Sequence, residues 1–211
     1  MSSVVARVTG MTPIERKVAL TLAGLFSLRM LGLFLILPVF ALYAEDLEGA
    51  TPVLIGLAIG VYGLTQAGLQ IPFGMLSDRF GRKRLIILGL VIFAIGSMVA
   101  ALADSIFWVI VGRALQGAGA IAAVVMALAA DLSREEHRTK VMAMIGVSIG
   151  ISFAAAMVLG PVLNNWVGVK GIFWISAGLA LGGILMTHFL VPQPIYSRSH
   201  RDTTPIPAMF K

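Results

Sequence analysis

The chain has 211 residues, 58% of them hydrophobic and only 12% charged, with a mean hydropathy of +0.95, a net charge of +6 and no cysteine. Such an apolar excess excludes a soluble domain and defines an integral membrane protein, in which a pI near 10.2 reflects basic loops at one membrane surface rather than nucleic-acid binding. The missing thiols exclude a disulfide framework and thiolate metal sites.

A basic head, residues 1–17, carries Arg7, Arg16 and Lys17 ahead of a first apolar segment at 18–43. That segment is too long for a signal-peptide core, and no small-x-small site closes it. Five more follow at 53–76, 85–103, 106–130, 141–163 and 169–191, each above the roughly 17 residues needed to cross a bilayer. The reading is an all-α membrane protein with six transmembrane helices across 18–191, followed by a polar stretch, 192–211, with the composition of a cytoplasmic linker. Thirteen Lys and Arg fall in the head, the 77–84 and 131–140 connections and the tail, against one, Lys170, in the opposite loops. This asymmetry places both termini in the cytoplasm and the acidic 45–48 segment outside.

Between the second and third segments, residues 74–84 pack five charges and two glycines into one short hairpin. Gly74 is expected to let the second span approach a neighbour, and Gly81 to make the sharp turn, since glycine accepts backbone angles closed to other residues. Asp78 is placed to accept from a helix N-terminus, Arg79 and Lys83 add positive charge, and Arg82 is expected to pair with Asp131 at the end of the fourth span. A pair of that kind would act as a conformational switch. Anchoring by Lys and Arg alone accounts for neither the glycines nor Asp78.

Two arginines lie inside spans, where a charge costs about 2.5–3.5 kcal/mol on insertion scales and marks a cavity, a partner or a function. Arg29 sits about 17 Å along the first span, and Arg113 roughly 10 Å inside the outer face with Gln116 one turn further on the same side. No Asp or Glu occurs in any of the six segments, and His188 falls near a membrane surface. Proton coupling would therefore use groups outside this chain or act through the partners of Arg29 and Arg113. No metal-ligand cluster or nucleophile and base pair points to an enzyme, a metal or a cofactor. Glycines four apart, at Gly56/Gly60, Gly146/Gly150 and Gly178/Gly182, predict close helix packing. Gly74 with Asp78 is echoed by Gly160 with Asn164 at the end of the fifth span, which predicts a 3+3 inverted repeat.

The pattern Gly-x-x-x-Asp-Arg-x-Gly-Arg-Lys at 74–83 resembles the signature loop between the second and third helices of major facilitator superfamily transporters. Arg113-x-x-Gln116-Gly117-x-Gly119 is similar to the family's second motif, and Gly150 with Gly160-Pro161 to its antiporter motif, although Asn164-Asn165 replaces the expected glycine pair. The first span, Leu28 to Pro38, resembles members of the drug and proton efflux branch. The resemblance implies the N-terminal half of a major facilitator fold in an inner membrane. It implies proton-driven efflux of small organic solutes or drugs by alternating access, with the small-molecule substrate passing between this half and a second six-helix half. It also implies a substrate and proton pathway at Arg29, Arg113 and Gln116, and a helix-packing motif at Gly150, Gly160 and Pro161. Without the second half, Arg29, with Arg113 and Gln116, is expected on a surface that the partner would cover. The alternative is a six-span protein that binds or assembles membrane partners without moving solute.

Overall fold

Pro13 opens the first helix where a missing N–H costs nothing, and Thr12 and Glu15 close a reciprocal capping box around that start. In the computed structural model, which describes residues 10–192, this helix, α1 (Pro13–Phe34), is followed after a two-residue break by α2 (Leu37–Glu45). Pro38 accounts for the break, because its ring has no N–H to donate and clashes with the carbonyl four residues back. α1 and α2 together form the first span. The second is α3 (Pro52–Phe80), capped by the Thr51 hydroxyl, which accepts from the Leu54 amide at 3.3 Å. The third is α4 (Arg82–Ala101). The fourth is again broken, into α5 (Ile106–Ala118) and α6 (Ala122–Asp131). Residues 1–9 of the basic head and the linker-like stretch after Pro192 lie outside the described residues.

α7 (Glu135–Leu190) holds the last two spans, 135–167 and 169–190, because Gly168 at φ 67° and ψ 177° turns the chain back. The contacts with α1 give the directions. Ser148 and Ser152 donate to the Ala23 and Ser27 carbonyls at 3.2 and 3.4 Å, so residue numbers rise together along the fifth span and α1. Ser176 donates to the Gly32 carbonyl at 2.7 Å and Gly183 lies against Leu25, so they run oppositely along the sixth. One face of the bundle gathers Glu15, Asp78, Arg82, Asp131, Arg134 and Val191. The other is closed by a Glu48–Ser105 bridge and an Asp104–Lys170 ion pair.

The connections are shorter than the sequence reading gave. The 77–84 hairpin is helical except at Gly81, and the 131–140 connection shrinks to residues 132–134.

In lipid the apolar effect does not drive helices together, so packing must come from close backbone approach. The predicted glycine pairs do not supply it. A Cβ added at Gly56, Gly60, Gly146, Gly150 or Gly178 would meet nothing within 4 Å, and one at Gly182 would make ordinary contact with Leu28. Gly96 and Gly112 supply it instead: a Cβ on Gly112 would lie 2.7 Å from the Gly96 carbonyl oxygen, which brings α4 and α5 together. Spacing along a helix shows that small residues share a face, but not which neighbour that face meets.

Candidate functional site

The two broken spans, the first and the fourth, each open a set of three, and the intramembrane polar groups gather at the second break. There Ala120 and Ile121 donate to the Ala118 and Gly119 carbonyls, each at 2.9 Å, so two tight turns divert amides that would have continued the helix. Arg29 reaches across from α1 and donates from Nη2 to the Gly119 carbonyl at 2.9 Å and to Gln66 Oε1 at 3.3 Å. A cation at the C-terminal end of α5 complements the helix dipole. Its guanidinium also lies 5.6 Å from the centroid of the Phe93 ring.

Arg113 is held by a separate set of neutral groups. Its Nη1 donates to Gln116 Oε1 at 2.9 Å, its Nε to the Ala58 carbonyl at 3.3 Å, and its guanidinium lies 5.0 Å from the Tyr62 ring centroid. Gln116 Nε2 donates to Ser97 Oγ at 2.8 Å, and Ser97 to the Phe93 carbonyl at 2.8 Å. The two arginines are thus joined through Phe93 and Ser97 of α4, and among the described residues no carboxylate enters either set of contacts. Among the described residues Arg29 Nε and Nη1 have no hydrogen-bond partner.

Here the expectation of an open surface is corrected. Arg29, Arg113 and Gln116 are 1%, 2% and 1% exposed, so the six spans bury all three without a second half. The cause lies in two glycines beside them. A Cβ on Gly117 would sit 2.2 Å from the Tyr62 carbonyl oxygen and one on Gly119 2.3 Å from that of Gly89, so α5 closes onto α3 and α4 with no gap.

At the membrane face, Gly81 takes φ 95°, as the turn requires. Arg82 opens α4 and pairs with Asp131 Oδ2 from Nε at 3.0 Å; its Nη2 pairs with Asp78 and its Nη1 donates to Ser77 Oγ. The expected Arg82–Asp131 pair is therefore present. Asp78 differs from expectation: among the described residues its partner is the Arg82 side chain, not a helix N-terminus. Gly74 also differs, since a Cβ there would meet Ala123 at an ordinary 3.6 Å, and its carbonyl accepts from Ser77 Oγ at 2.6 Å. Arg79 is exposed in the last turn of α3, where a cation suits the dipole. Lys83 does more than add charge: its Nζ donates to the His188 and Val191 carbonyls at 2.6 and 3.2 Å, capping the end of α7.

Of the packing motif, Gly150 faces open space, Pro161 is exposed, and Gly160 packs hard, with a Cβ position 2.5 Å from the Leu35 carbonyl oxygen at the break in span one. Gly74 correspondingly faces Ala123 just after the break in span four. The two echoed glycines thus contact equivalent broken spans, as a 3+3 repeat requires.

One cluster escaped the sequence reading. Glu15, 5% exposed, receives the Arg134 amide, Nε and Nη2 at 3.1, 3.0 and 3.1 Å and the Thr12 amide at 2.8 Å. In the polar head before the apolar run, its carboxyl is held down to about 2, chiefly by Arg134 and further by Thr12, against the opposing effect of burial. The Thr12-x-x-Glu15 spacing before an apolar run was the available signal.

Comparison with known proteins follows from this geometry. Residues 22–208 match the Major Facilitator Superfamily. The chain is 56% identical over 200 residues to the inner membrane transport protein YajR of Escherichia coli K12, covering 95% of this chain and 44% of that protein. It is 50% identical over 179 residues to an uncharacterized transporter of Buchnera aphidicola subsp. Schizaphis graminum, covering 85% and 46%. The crystal structure of the human organic anion transporter MFSD10 superposes with a TM-score of 0.75 at 21% identity, over 88% of this chain and 50% of that one, a likeness of fold. The chain spans about half the length of the curated relatives it matches. With six spans in two sets of three, the signature loop paired to the end of the fourth span, and these relatives, the chain belongs to the Major Facilitator Superfamily as a multi-pass membrane protein with the fold of the family's N-terminal half.

Proposed function

We propose that this chain works as the N-terminal half of a secondary transporter of the inner membrane, exporting small organic solutes or drugs by alternating access at the expense of a proton gradient. Both ends of the half lie on the cytoplasmic side in this reading, and a second six-helix half completes the substrate path. The observation that carries it is the Arg82 guanidinium, shared between Asp78 on its own hairpin and Asp131 across the bundle. A cation with two carboxylate partners at a turn is a contact that can be redistributed when the halves rock, and so can hold one state over another. Arg29, Arg113 and Gln116 form the intramembrane pathway; no carboxylate lies in the six apolar segments and both arginines are held by neutral groups that take up no proton, so the groups that couple transport to protons come from the second half.

The second reading, an assembly subunit that moves nothing, draws on the open glycine faces of Gly56, Gly60, Gly146 and Gly150. In the transport reading the same faces receive the second half. The deciding experiment fuses this chain to the remaining half of the Escherichia coli relative and measures solute flux in vesicles. Asp78→Asn should cripple flux far more than it lowers the amount of inserted protein; equal losses of both would remove the switch. For the orientation, single cysteines at Glu48 and Glu135 of this cysteine-free chain should label from outside and inside respectively; the reverse would invert the topology.

A further inference from the structure

The first turn of the fifth span buries a histidine that nothing in the transport reading uses. His137 is 3% exposed, and among the described residues neither Nδ1 nor Nε2 has a hydrogen-bond partner. Ser133 Oγ, four residues earlier, is buried and unpartnered as well. Beside the imidazole, Glu136 Oε1 lies 3.8 Å from His137 Nε2 and 2.8 Å from Arg134 Nη1. Arg134 in turn carries the Glu15 carboxylate and reaches the Gly10 carbonyl at 3.1 Å. Glu15, Arg134 and Glu136 are therefore joined by ion pairs that tie the head of α1 to the start of α7, and the His137 ring lies next to the last of them.

The other charged groups at this end of the bundle are paired or exposed, Glu135 and Lys140 of α7 being among the exposed ones. From α6, Asp131 is taken by Arg82 of α4; on α7 itself, Arg138 donates to the Ala130 carbonyl at 3.2 Å. From α1, Arg16 and Lys17 are exposed and line a separate groove with Met11 and Leu20. Within the chain, Glu15 stays ionised far below neutrality and arginine is permanently charged. Imidazole is the side-chain type whose ordinary titration falls between pH 5 and 8.

We propose that protonation of His137 is a pH-sensitive release on the contact between the head of the first span and the start of the fifth. With neutral imidazole, Glu136 belongs to Arg134. An imidazolium this deeply buried requires an anion, and Glu136 is the nearest. Turning that carboxylate toward His137 strips Arg134 of one of its two acidic partners and sets a second cation beside it. Arg134 is left on Glu15 alone, and the head of α1 loosens from the 132–134 connection. The device does not depend on which solute, if any, the protein moves.

The test uses the full chain in lipid nanodiscs, with nitroxide labels on cysteines introduced at Met11 and Glu135 and the distance between them measured by pulsed EPR from pH 8 to pH 5. A single distance at pH 8 should give way, in one transition as the pH falls, to a second, longer population. His137→Asn should abolish the transition, and His188→Asn should leave it unchanged. Glu136→Gln, at an exposed position that does not enter the core, should flatten it independently, so the proposal stays testable if the His137 variant fails to fold. An unchanged distance across the pH range in the parent, or the same transition in Glu136→Gln or in a folded His137→Asn protein, would overturn it.

Discussion

Replacing Gly119 with alanine tests the packing that buries the intramembrane arginines. Its backbone, at φ −72° and ψ 51°, suits alanine, so no conformational strain enters. The added Cβ would lie 2.3 Å from the Gly89 carbonyl oxygen and 3.3 Å from Phe93 Cβ, where ordinary contact begins at 3.4 Å. α4 and α5 must then part by roughly 1 Å, and overpacking of this kind costs about 1–3 kcal/mol. Moving Gly119 also draws its carbonyl away from Arg29 Nη2, now at 2.9 Å, and a hydrogen bond to a charged group contributes about 1.5–3 kcal/mol. The combined loss of about 3–5 kcal/mol should lower the thermal unfolding midpoint in nanodiscs by about 10 °C. Gly56→Ala is the control: it meets nothing within 4 Å and should be neutral, or stabilising by up to about 1 kcal/mol through helix propensity. Equal midpoints for the two variants would refute the argument that glycine contacts between α4 and α5 seal the site.

Arg82→Asp places a third carboxylate beside Asp78 and Asp131 and should abolish flux in the fused protein; adding Asp131→Arg should restore part of it, and a double variant no better than the worse single would remove the direct pairing. Arg29→Leu should insert and unfold within about 1 kcal/mol of the parent, because exchanging a buried, incompletely paired charge for a hydrophobe is often neutral, while flux is lost. Gln116→Leu should instead destabilise by about 2–3 kcal/mol, since it removes the side-chain acceptor of Arg113 and leaves that charge less paired; a smaller cost than that of Arg29→Leu would contradict the contacts described. The Glu15 lock has a defined pH window. Because its carboxyl is depressed in the fold to about 2 from an ordinary 4.5, its contribution is complete above about pH 4.5 and disappears as pH falls through 2. Measured in a His137→Asn background, where the release proposed above cannot operate, the stability difference made by Glu15→Gln should therefore be constant from pH 7 to about 5 and shrink only below that; a difference already lost at pH 5 would mean the carboxylate is not so held.

The six spans were legible because a bilayer demands long apolar runs, and the Arg82–Asp131 pair because two opposite charges stood at span ends on one side. Gly81 was legible for the same local reason: a turn between two helices one residue apart requires its backbone angle. What escaped was anything satisfied by backbone. The acceptor of Arg29 is the Gly119 carbonyl, a group every residue carries, so the burial of that arginine had no signature in side-chain spacing. The break in span four was hidden likewise, since residues 119–121 are apolar and contain no proline, whereas Pro38 marked the break in span one. Gly56 and Gly96 look alike in sequence, and only the arrangement of helices reveals that one faces open space and the other a neighbouring backbone. Glu15 and Arg134 stand 119 positions apart, too far for any local rule to pair them.

The central claim is that these six spans supply one wall of a solute path and need a second half to complete it. The most direct measurement is proton-gradient-driven uptake of a panel of organic solutes into vesicles, comparing the chain alone, verified as a monomer, with the same chain fused to the second half of the Escherichia coli relative. Saturable flux from the fused protein, abolished by Arg29→Leu, and none from the monomer is the predicted result. Saturable flux from the monomeric chain would contradict it, as would flux from the fused protein that is indifferent to both Arg29→Leu and Asp78→Asn.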